Sequence, residues 1–83
     1  MKIDIRYFAW VRERIGHGHE TVETEAATPA ALIEELRGKG PHYAAAFEDM
    51  TALRVALDQE LTEFSAPLSG AREVAFFPPM TGG

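Results

Sequence analysis

The sequence contains no cysteine. This absence excludes disulfide bonds, zinc sites built from thiolates and a cysteine nucleophile. Long apolar runs are also missing, so no segment approaches the roughly 20 residues that a membrane-spanning helix needs. Residues 1–6 alternate charged with apolar side chains, whereas a signal peptide requires an uninterrupted apolar segment. We therefore expect a soluble, cytoplasmic protein that does not contact membranes.

Basic residues are few and scattered. Eight lysines and arginines stand against 13 acidic residues, which gives a formal net charge of -5. Binding to nucleic acid requires a concentrated basic patch, so we do not expect a nucleic acid partner. An acidic surface instead favours basic protein partners. The apolar content of 46% and the charged content of 25% are typical of a globular protein, and 83 residues predict one domain.

Hydrophobic periodicity predicts five strands and one main helix. Residues 2–8 place Ile3, Ile5 and Tyr7 on one face, which is the period of a half-buried strand. Thr28-Pro29 is typical of a helix start, and the glycines at positions 38 and 40 end that helix. The other predicted elements are short helices over residues 9–15 and 42–48 and strands over residues 20–25, 53–58, 60–64 and 73–77. This order predicts an α+β fold, the β-grasp (ubiquitin-like) fold, in which a mixed sheet wraps around one main helix.

Residues 78–83 are predicted to form a tail that projects from a β-grasp domain over residues 1–77. The two prolines that open the tail favour polyproline geometry at about 3.1 Å per residue, so it would reach very roughly 15 to 20 Å. Gly82 and Gly83 have no Cβ atoms, which lets an enzyme close around the backbone and reach the terminal carboxylate. That carboxylate is a poor electrophile. A separate protein must activate it, because the sequence has no glycine-rich phosphate-binding loop.

Three segments make the sequence resemble a known family. They are Tyr7-Phe8-Ala9-Trp10-Val11-Arg12-Glu13, Val55-Ala56-Leu57-Asp58-Gln59 and Glu73-Val74-Ala75-Phe76-Phe77-Pro78-Pro79-Met80-Thr81-Gly82-Gly83, of which the last eight residues are the most specific part. Together they resemble the small, sulfur-carrying subunits of molybdopterin synthase, the MoaD family of ubiquitin-like proteins, and the likeness in length and element order covers nearly the whole chain. Three features depart from the family pattern: Asp58 replaces the usual asparagine, the turn at residues 69–72 is less acidic, and Met80 replaces a smaller aliphatic residue.

The resemblance implies a sulfur carrier with no permanently bound cofactor and no metal site. An E1-like adenylyltransferase would use ATP to adenylate the Gly83 carboxylate, and a persulfide sulfur donor would replace AMP to leave a thiocarboxylate. The tail would then enter the large subunit of molybdopterin synthase and give its sulfur to cyclic pyranopterin monophosphate, forming the dithiolene that binds molybdenum. The assembly would be a heterotetramer of two small and two large subunits, with the catalytic acid and base groups on the large subunit.

Phe8, Leu61 and Phe77 each fall on the strand face opposite the core-facing residues. We interpret them as an exposed apolar patch that binds a partner, with Arg12 as a polar contact at its rim. The alternative is a register shifted by one residue, which would turn all three side chains inward. The remaining predicted partner contacts are the tail residues Pro78, Pro79, Met80 and Thr81.

Two polar groups have an ordinary structural interpretation. His17 and His19 lie in a glycine loop without a third ligand nearby, so we interpret them as solvated histidines rather than as a metal site. Glu20, Glu23 and Glu25 lie along one predicted edge strand, where charge discourages aggregation. We prefer that interpretation to a role in acid and base catalysis.

Three other functions stay open on the sequence alone. The same fold and terminal glycines would serve a sulfur carrier for another pathway, such as thiazole synthesis for thiamine, although Phe76-Phe77-Pro78-Pro79 favours the pterin pathway. The chain could instead be a ubiquitin-like modifier joined to lysines through Gly83. The simplest alternative is a noncatalytic binding domain with an inert tail.

Overall fold

The computed structural model of the protein describes residues 1–79, and within them the chain folds into five strands and three α-helices. The elements are β1 (Lys2–Tyr7), α1 (Ala9–Ile15), β2 (His19–Glu23), α2 (Pro29–Arg37), α3 (Pro41–Ala46), a 3-10 turn (Met50–Ala52), β3 (Arg54–Leu57), β4 (Glu60–Thr62) and β5 (Glu73–Phe77). The strands form one sheet in the order β2-β1-β5-β3-β4. Strands β1 and β5 run parallel, and the other neighbouring pairs run antiparallel. This mixed sheet confirms the predicted β-grasp fold.

The core lies between α2 and one face of the sheet. Strand β1 places Ile3, Ile5 and Tyr7 on that face, each at most 1% exposed, as the alternation predicted. Burying an apolar side chain of this size stabilises the fold by roughly 1.5–3 kcal/mol. Strand β5 adds Val74 and Phe76 to the same core. Helix α2 contributes Leu32, Ile33 and Leu36 to the same core.

The start of α2 and the end of α1 each have a local cause. The Thr28 side-chain oxygen accepts a hydrogen bond from the Ala31 amide at 3.1 Å, and Pro29 follows at the first helical position. A cap of this kind contributes about 1 kcal/mol. Helix α1 ends at Gly16, which has a φ of 104° and donates its N–H to the Arg12 carbonyl at 2.8 Å.

Among residues 1–79, no helix has the length and apolar character needed to cross a membrane.

Strand β4 is shorter than predicted, and residues 63–72 after it pack over the start of α2. The Ala30 amide donates to the Phe64 carbonyl at 3.0 Å, and the Leu68 amide donates to the Ala27 carbonyl at 2.9 Å. These bonds supply partners for backbone groups near the helix start. Leu68 is fully buried, although the sequence Pro67-Leu68-Ser69-Gly70 is typical of a turn and predicts no core residue there.

Helix α3 lies close to the predicted short helix and brings an aromatic ring into the core. Phe47 follows its last residue and is fully buried, whereas Tyr43 within the helix is only partly buried. The Phe47 ring lies 5.4 Å from the Phe76 ring and 6.4 Å from the Tyr7 ring, measured between centroids. Aromatic pairs at these distances add to the burial of their surfaces.

Candidate partner-binding site

The outer face of the sheet, opposite α2, carries a group of small and apolar residues. The strand register aligns Ala75 with Ala56, and Ala56 with Leu61. Phe77 lies two residues beyond Ala75 on the same face. Phe8 follows the last residue of β1 and lies beside Phe77, because β1 and β5 are parallel neighbours. We call these five residues the outer patch.

The largest side chains of the outer patch are accessible. Leu61 is 72% exposed and Phe8 is 48% exposed, while Phe77 is partly buried. The neighbours of Phe77 on the opposite face, Val74 and Phe76, are fully buried. The alternative of a shifted register is therefore wrong, since it required all three predicted patch residues to face inward. That this surface binds a partner stays a prediction.

Arg12 lies at the rim of the outer patch. It shares a groove of about 470 Å³ with Phe8, Arg6 and Gly18. A Cβ atom at Gly18 would come within 3.0 Å of the Arg12 Nε, so the guanidinium group lies across that glycine. Arg6 donates to the Glu73 carboxylate at 2.8 Å, whereas Arg12 makes no ion pair within residues 1–79. Arg12 therefore offers an uncompensated charge beside an apolar surface.

The strand that leads into the predicted tail is held at the centre of the sheet. Strand β5 pairs with β1 on one side and with β3 on the other. Pro78 and Pro79 follow it and are partly buried. The remaining predicted site residues lie outside the described residues, so their roles stay predictions, as does the domain boundary after residue 77. They are Met80, Thr81, Gly82 and Gly83.

Glu20 is the centre of a polar cluster that the sequence interpretation missed. Its carboxylate accepts hydrogen bonds from the hydroxyls of Tyr7 at 2.7 Å and Tyr43 at 2.8 Å, and from the Lys39 ammonium at 2.6 Å. The His17 Nε2 lies 3.0 Å from the same carboxylate. These contacts connect β1, β2, the loop after α1, the loop between α2 and α3, and α3 itself. We call these five residues the Glu20 cluster.

The electrostatics of the Glu20 cluster argue for a structural role. Partial burial alone would raise the pKa of Glu20, but the hydrogen bonds from Lys39, His17, Tyr7 and Tyr43 outweigh it and lower the pKa to about 2. Burial, followed by the bond to Glu20, raises the pKa of Tyr7. A carboxylate that stays ionised with its acceptor sites occupied is a poor general base. The prediction that Glu20 is an exposed charge on the edge strand was wrong. Glu20 pairs with the core residue Ile5, which places the Glu20 side chain on the inner face of the sheet.

The other side chains of β2 agree better with a charged edge. Glu23 lies on the outer face, 3.5 Å from the N-terminal ammonium group. His19 lies on the same face, 3.8 Å from Asp4. His17 is exposed, as the interpretation of a solvated histidine predicts, and it also contacts the Glu20 carboxylate as a member of the Glu20 cluster. Within residues 1–79 no three metal-ligating side chains come together in a way that could hold a metal ion.

A mixed five-stranded sheet around one main helix, with the last strand at its centre, defines a ubiquitin-like β-grasp protein. The chain matches the ThiS family over residues 5–83. It belongs to the ThiS family. It is also 40% identical over 81 residues to the molybdopterin synthase sulfur carrier subunit of Escherichia coli, covering 98% of this chain and 99% of the relative. The resemblance inferred from the three sequence segments is thereby confirmed.

Solved structures show the same fold at lower sequence identity. SAMP1 from Haloferax volcanii superposes with a TM-score of 0.78 at 24% identity, and the match covers the whole of both chains. A complex of subunits 1 and 2 of the molybdopterin-converting factor from Helicobacter pylori contains a chain that superposes with a TM-score of 0.65 at 20% identity, again over the whole of both chains. At these identities the likeness shows the fold alone.

Proposed function

We propose that this protein is the sulfur carrier subunit of molybdopterin synthase. The observation that carries the proposal is the 40% identity, over nearly the full length of both chains, to a protein of that name. The ending Phe76-Phe77-Pro78-Pro79-Met80-Thr81-Gly82-Gly83 supports it, since a slim terminal segment suits entry into another protein's active site. In this role the chain acts as a co-substrate, and its own residues present and position the reacting terminus.

The chemistry proposed for the terminus requires other proteins. The Gly83 carboxylate attacks the α-phosphorus of ATP on an E1-like adenylyltransferase, which releases pyrophosphate and forms an acyl adenylate. A persulfide sulfur then attacks the acyl carbon and AMP leaves. A thiol cleaves the resulting acyl disulfide, so the thiocarboxylate keeps the terminal sulfur of the persulfide. Two such carriers supply the two sulfurs of one dithiolene on cyclic pyranopterin monophosphate. No cofactor remains bound to the carrier.

The outer patch is proposed to bind the large subunit of the synthase. The structural neighbour from Helicobacter pylori is a complex of two subunits of the molybdopterin-converting factor, which supports a partner of this kind. Phe8 and Leu61 supply exposed apolar anchors, and Arg12 supplies a charge at the rim. A few well-buried anchor residues contribute most of the binding energy in protein interfaces, and arginine is among the residue types enriched there. We propose two carriers and two large subunits in one assembly.

Reconstitution tests the pterin assignment against the thiazole alternative. The thiocarboxylated chain is supplied in parallel to the large subunit of molybdopterin synthase with cyclic pyranopterin monophosphate, and to a thiazole synthase with its substrates. We expect molybdopterin to form and thiazole to be absent. Thiazole as the main product would assign the chain to the other pathway. A chain that lacks Gly83 serves as the control, because it should fold normally and form no product.

Mass spectrometry of the protein isolated from cells tests the carrier chemistry against conjugation to lysines. Exchange of one terminal oxygen for sulfur adds about 16 Da, which is nearly the mass that oxidation of Met80 adds. Fragment ions must therefore show whether the added mass lies on Gly83 or on Met80. We expect the added mass on the terminal glycine. Isopeptide-linked adducts without any thiocarboxylate would instead identify a protein modifier.

A further inference from the structure

Strand β2 leaves one side of its backbone unpaired. It is the first strand in the sheet order and pairs only with β1. The hydrogen bonds from the Tyr7 amide to the Gly18 carbonyl and from the Thr24 amide to the Met1 carbonyl fix which residues face β1. By the alternation of an antiparallel ladder, the backbone groups of residues 19, 21 and 23 point away from the sheet. No group within residues 1–79 hydrogen bonds to them.

A groove lies directly beneath this free edge, between β2 and α2. It has a volume of about 360 Å³. Val22 of β2 is partly buried there, with Leu32 and Leu36 of α2 at the floor. Its polar rim is formed by the charged residues Glu23, Glu35 and Lys39. We call this groove and the strand above it the β2 edge.

The charge around the β2 edge is acidic. Lys39 is already paired with Glu20 at 2.6 Å, so its charge is compensated. Glu35 accepts a hydrogen bond from the Thr24 hydroxyl at 2.6 Å and makes no ion pair within residues 1–79. Glu23 pairs at 3.5 Å with the N-terminal ammonium, and its side chain remains 69% exposed. A second copy of this acidic chain would meet repulsion at this edge, whereas a basic segment would be attracted.

From these observations we infer that the β2 edge binds an extended segment of another protein, with an aliphatic side chain in the groove and lysine or arginine on either side of it. The segment adds a sixth strand next to β2 through the backbone groups of residues 19, 21 and 23. Alternate side chains of such a strand face the groove. The inference does not depend on the proposed sulfur transfer.

The β2 edge and the outer patch can be occupied at the same time. The groove opens on the α2 side of the sheet, whereas the outer patch lies on the opposite face. Leu61 of the patch is on β4, the strand at the other end of the sheet order. A carrier bound to a large subunit through the outer patch therefore keeps the β2 edge free for a second protein.

The probe for this test is a lysine–valine–isoleucine–valine–lysine peptide, acetylated and amidated, titrated into the full chain and followed by amide NMR shifts. We expect a Kd on the order of 0.1 mM, typical of a weak, small interface. The largest shifts should fall on His19, Thr21 and Glu23. Two further peptides carry backbone N-methyl groups, one on residues 1, 3 and 5 and the other on residues 2 and 4. Only one set faces β2, so one methylated peptide should bind and the other should not.

Neighbouring glutamates of α2 provide matched protein variants. Glu35→Gln removes a rim charge while keeping an oxygen that can accept from Thr24, and it should weaken binding of the basic peptide about threefold. Glu34→Gln removes an equal charge outside the groove, and binding should stay unchanged. Added salt should weaken binding to the wild-type chain.

Three results would overturn the inference. The first is equal binding of both methylated peptides, which would exclude strand addition. The second is a set of shifts centred on Phe8 and Leu61, which would place the peptide on the outer patch. The third is a shift of the β2 amides with protein concentration in the absence of peptide, which would identify a second copy of the chain as the occupant.

Discussion

Truncation of Leu61 separates partner binding from folding. Its side chain is 72% exposed in the free protein, so most of its apolar surface is available for burial by a partner. Full burial of a leucine side chain is worth roughly 1.5–3 kcal/mol, and alanine retains part of this surface. We therefore expect Leu61→Ala to weaken binding of the large subunit by about 1–2 kcal/mol, or roughly 5- to 30-fold in Kd. The free energy of unfolding should change by less than about 0.5 kcal/mol, because little surface is buried there in the free chain.

The same substitution at Leu53 provides the matched control. Leu53 is fully buried, so Leu53→Ala should reduce the free energy of unfolding by about 2–5 kcal/mol. Its effect on Kd should be small under conditions where the variant stays folded. Affinity is measured by isothermal titration with the large subunit, and stability by urea unfolding of the free carrier. An unchanged Kd for Leu61→Ala, or a loss of stability equal to that of Leu53→Ala, would refute the assignment of the outer patch.

Three further predictions concern positions away from Leu61. The pKa of Glu20 is lowered from 4.5 to about 2, so its ionised form stabilises the fold above about pH 4.5, and this contribution is lost as the pH falls toward 2. In urea unfolding, Glu20→Gln should remove this pH dependence of the stability between pH 4.5 and 2. It should also lower the free energy of unfolding by about 1–2 kcal/mol at pH 7. Gly18→Ala should displace the flexible Arg12 side chain, weakening partner affinity about two- to fivefold in titrations with little change in melting temperature. Leu68→Ala should cost about 2–5 kcal/mol in urea unfolding, as expected of a core residue rather than of a turn.

The parts of the fold that periodicity predicted are those in which one face of an element is uniformly apolar. Alternation in β1 identified Ile3, Ile5 and Tyr7 as core residues, and their burial confirms it. Leu68 was missed because it lies between turn-forming residues, and its burial depends on how residues 63–72 pack over α2. That packing is a tertiary contact with no local sequence signal.

The Glu20 cluster shows a second limit of local patterns. Glu20 and Val22 are two residues apart on β2, so they share a face, and Val22 lies on the inner one. That spacing was a usable signal for an inward carboxylate. The partners of Glu20 could not be predicted in the same way. Lys39 lies in the loop before α3 and Tyr43 lies in α3, so both reach Glu20 only after the helices pack against the sheet. Composition gave no indication that the carboxylate would be saturated with donors.

The position of the outer patch next to the end of β5 has a kinetic consequence. In the proposed function, docking through the patch would hold the residues after Phe77 near the partner's active site, so the terminus would react at a high effective concentration. Weakening the patch with Leu61→Ala should therefore raise the carrier concentration that gives half the maximal rate of molybdopterin formation, roughly in proportion to Kd. The rate at saturating carrier should stay unchanged, because the bound geometry of the terminus is the same. A lower rate at saturation, with no change in the half-maximal concentration, would mean that Leu61 acts on the reacting geometry itself, and docking and sulfur transfer could then no longer be treated as separate steps.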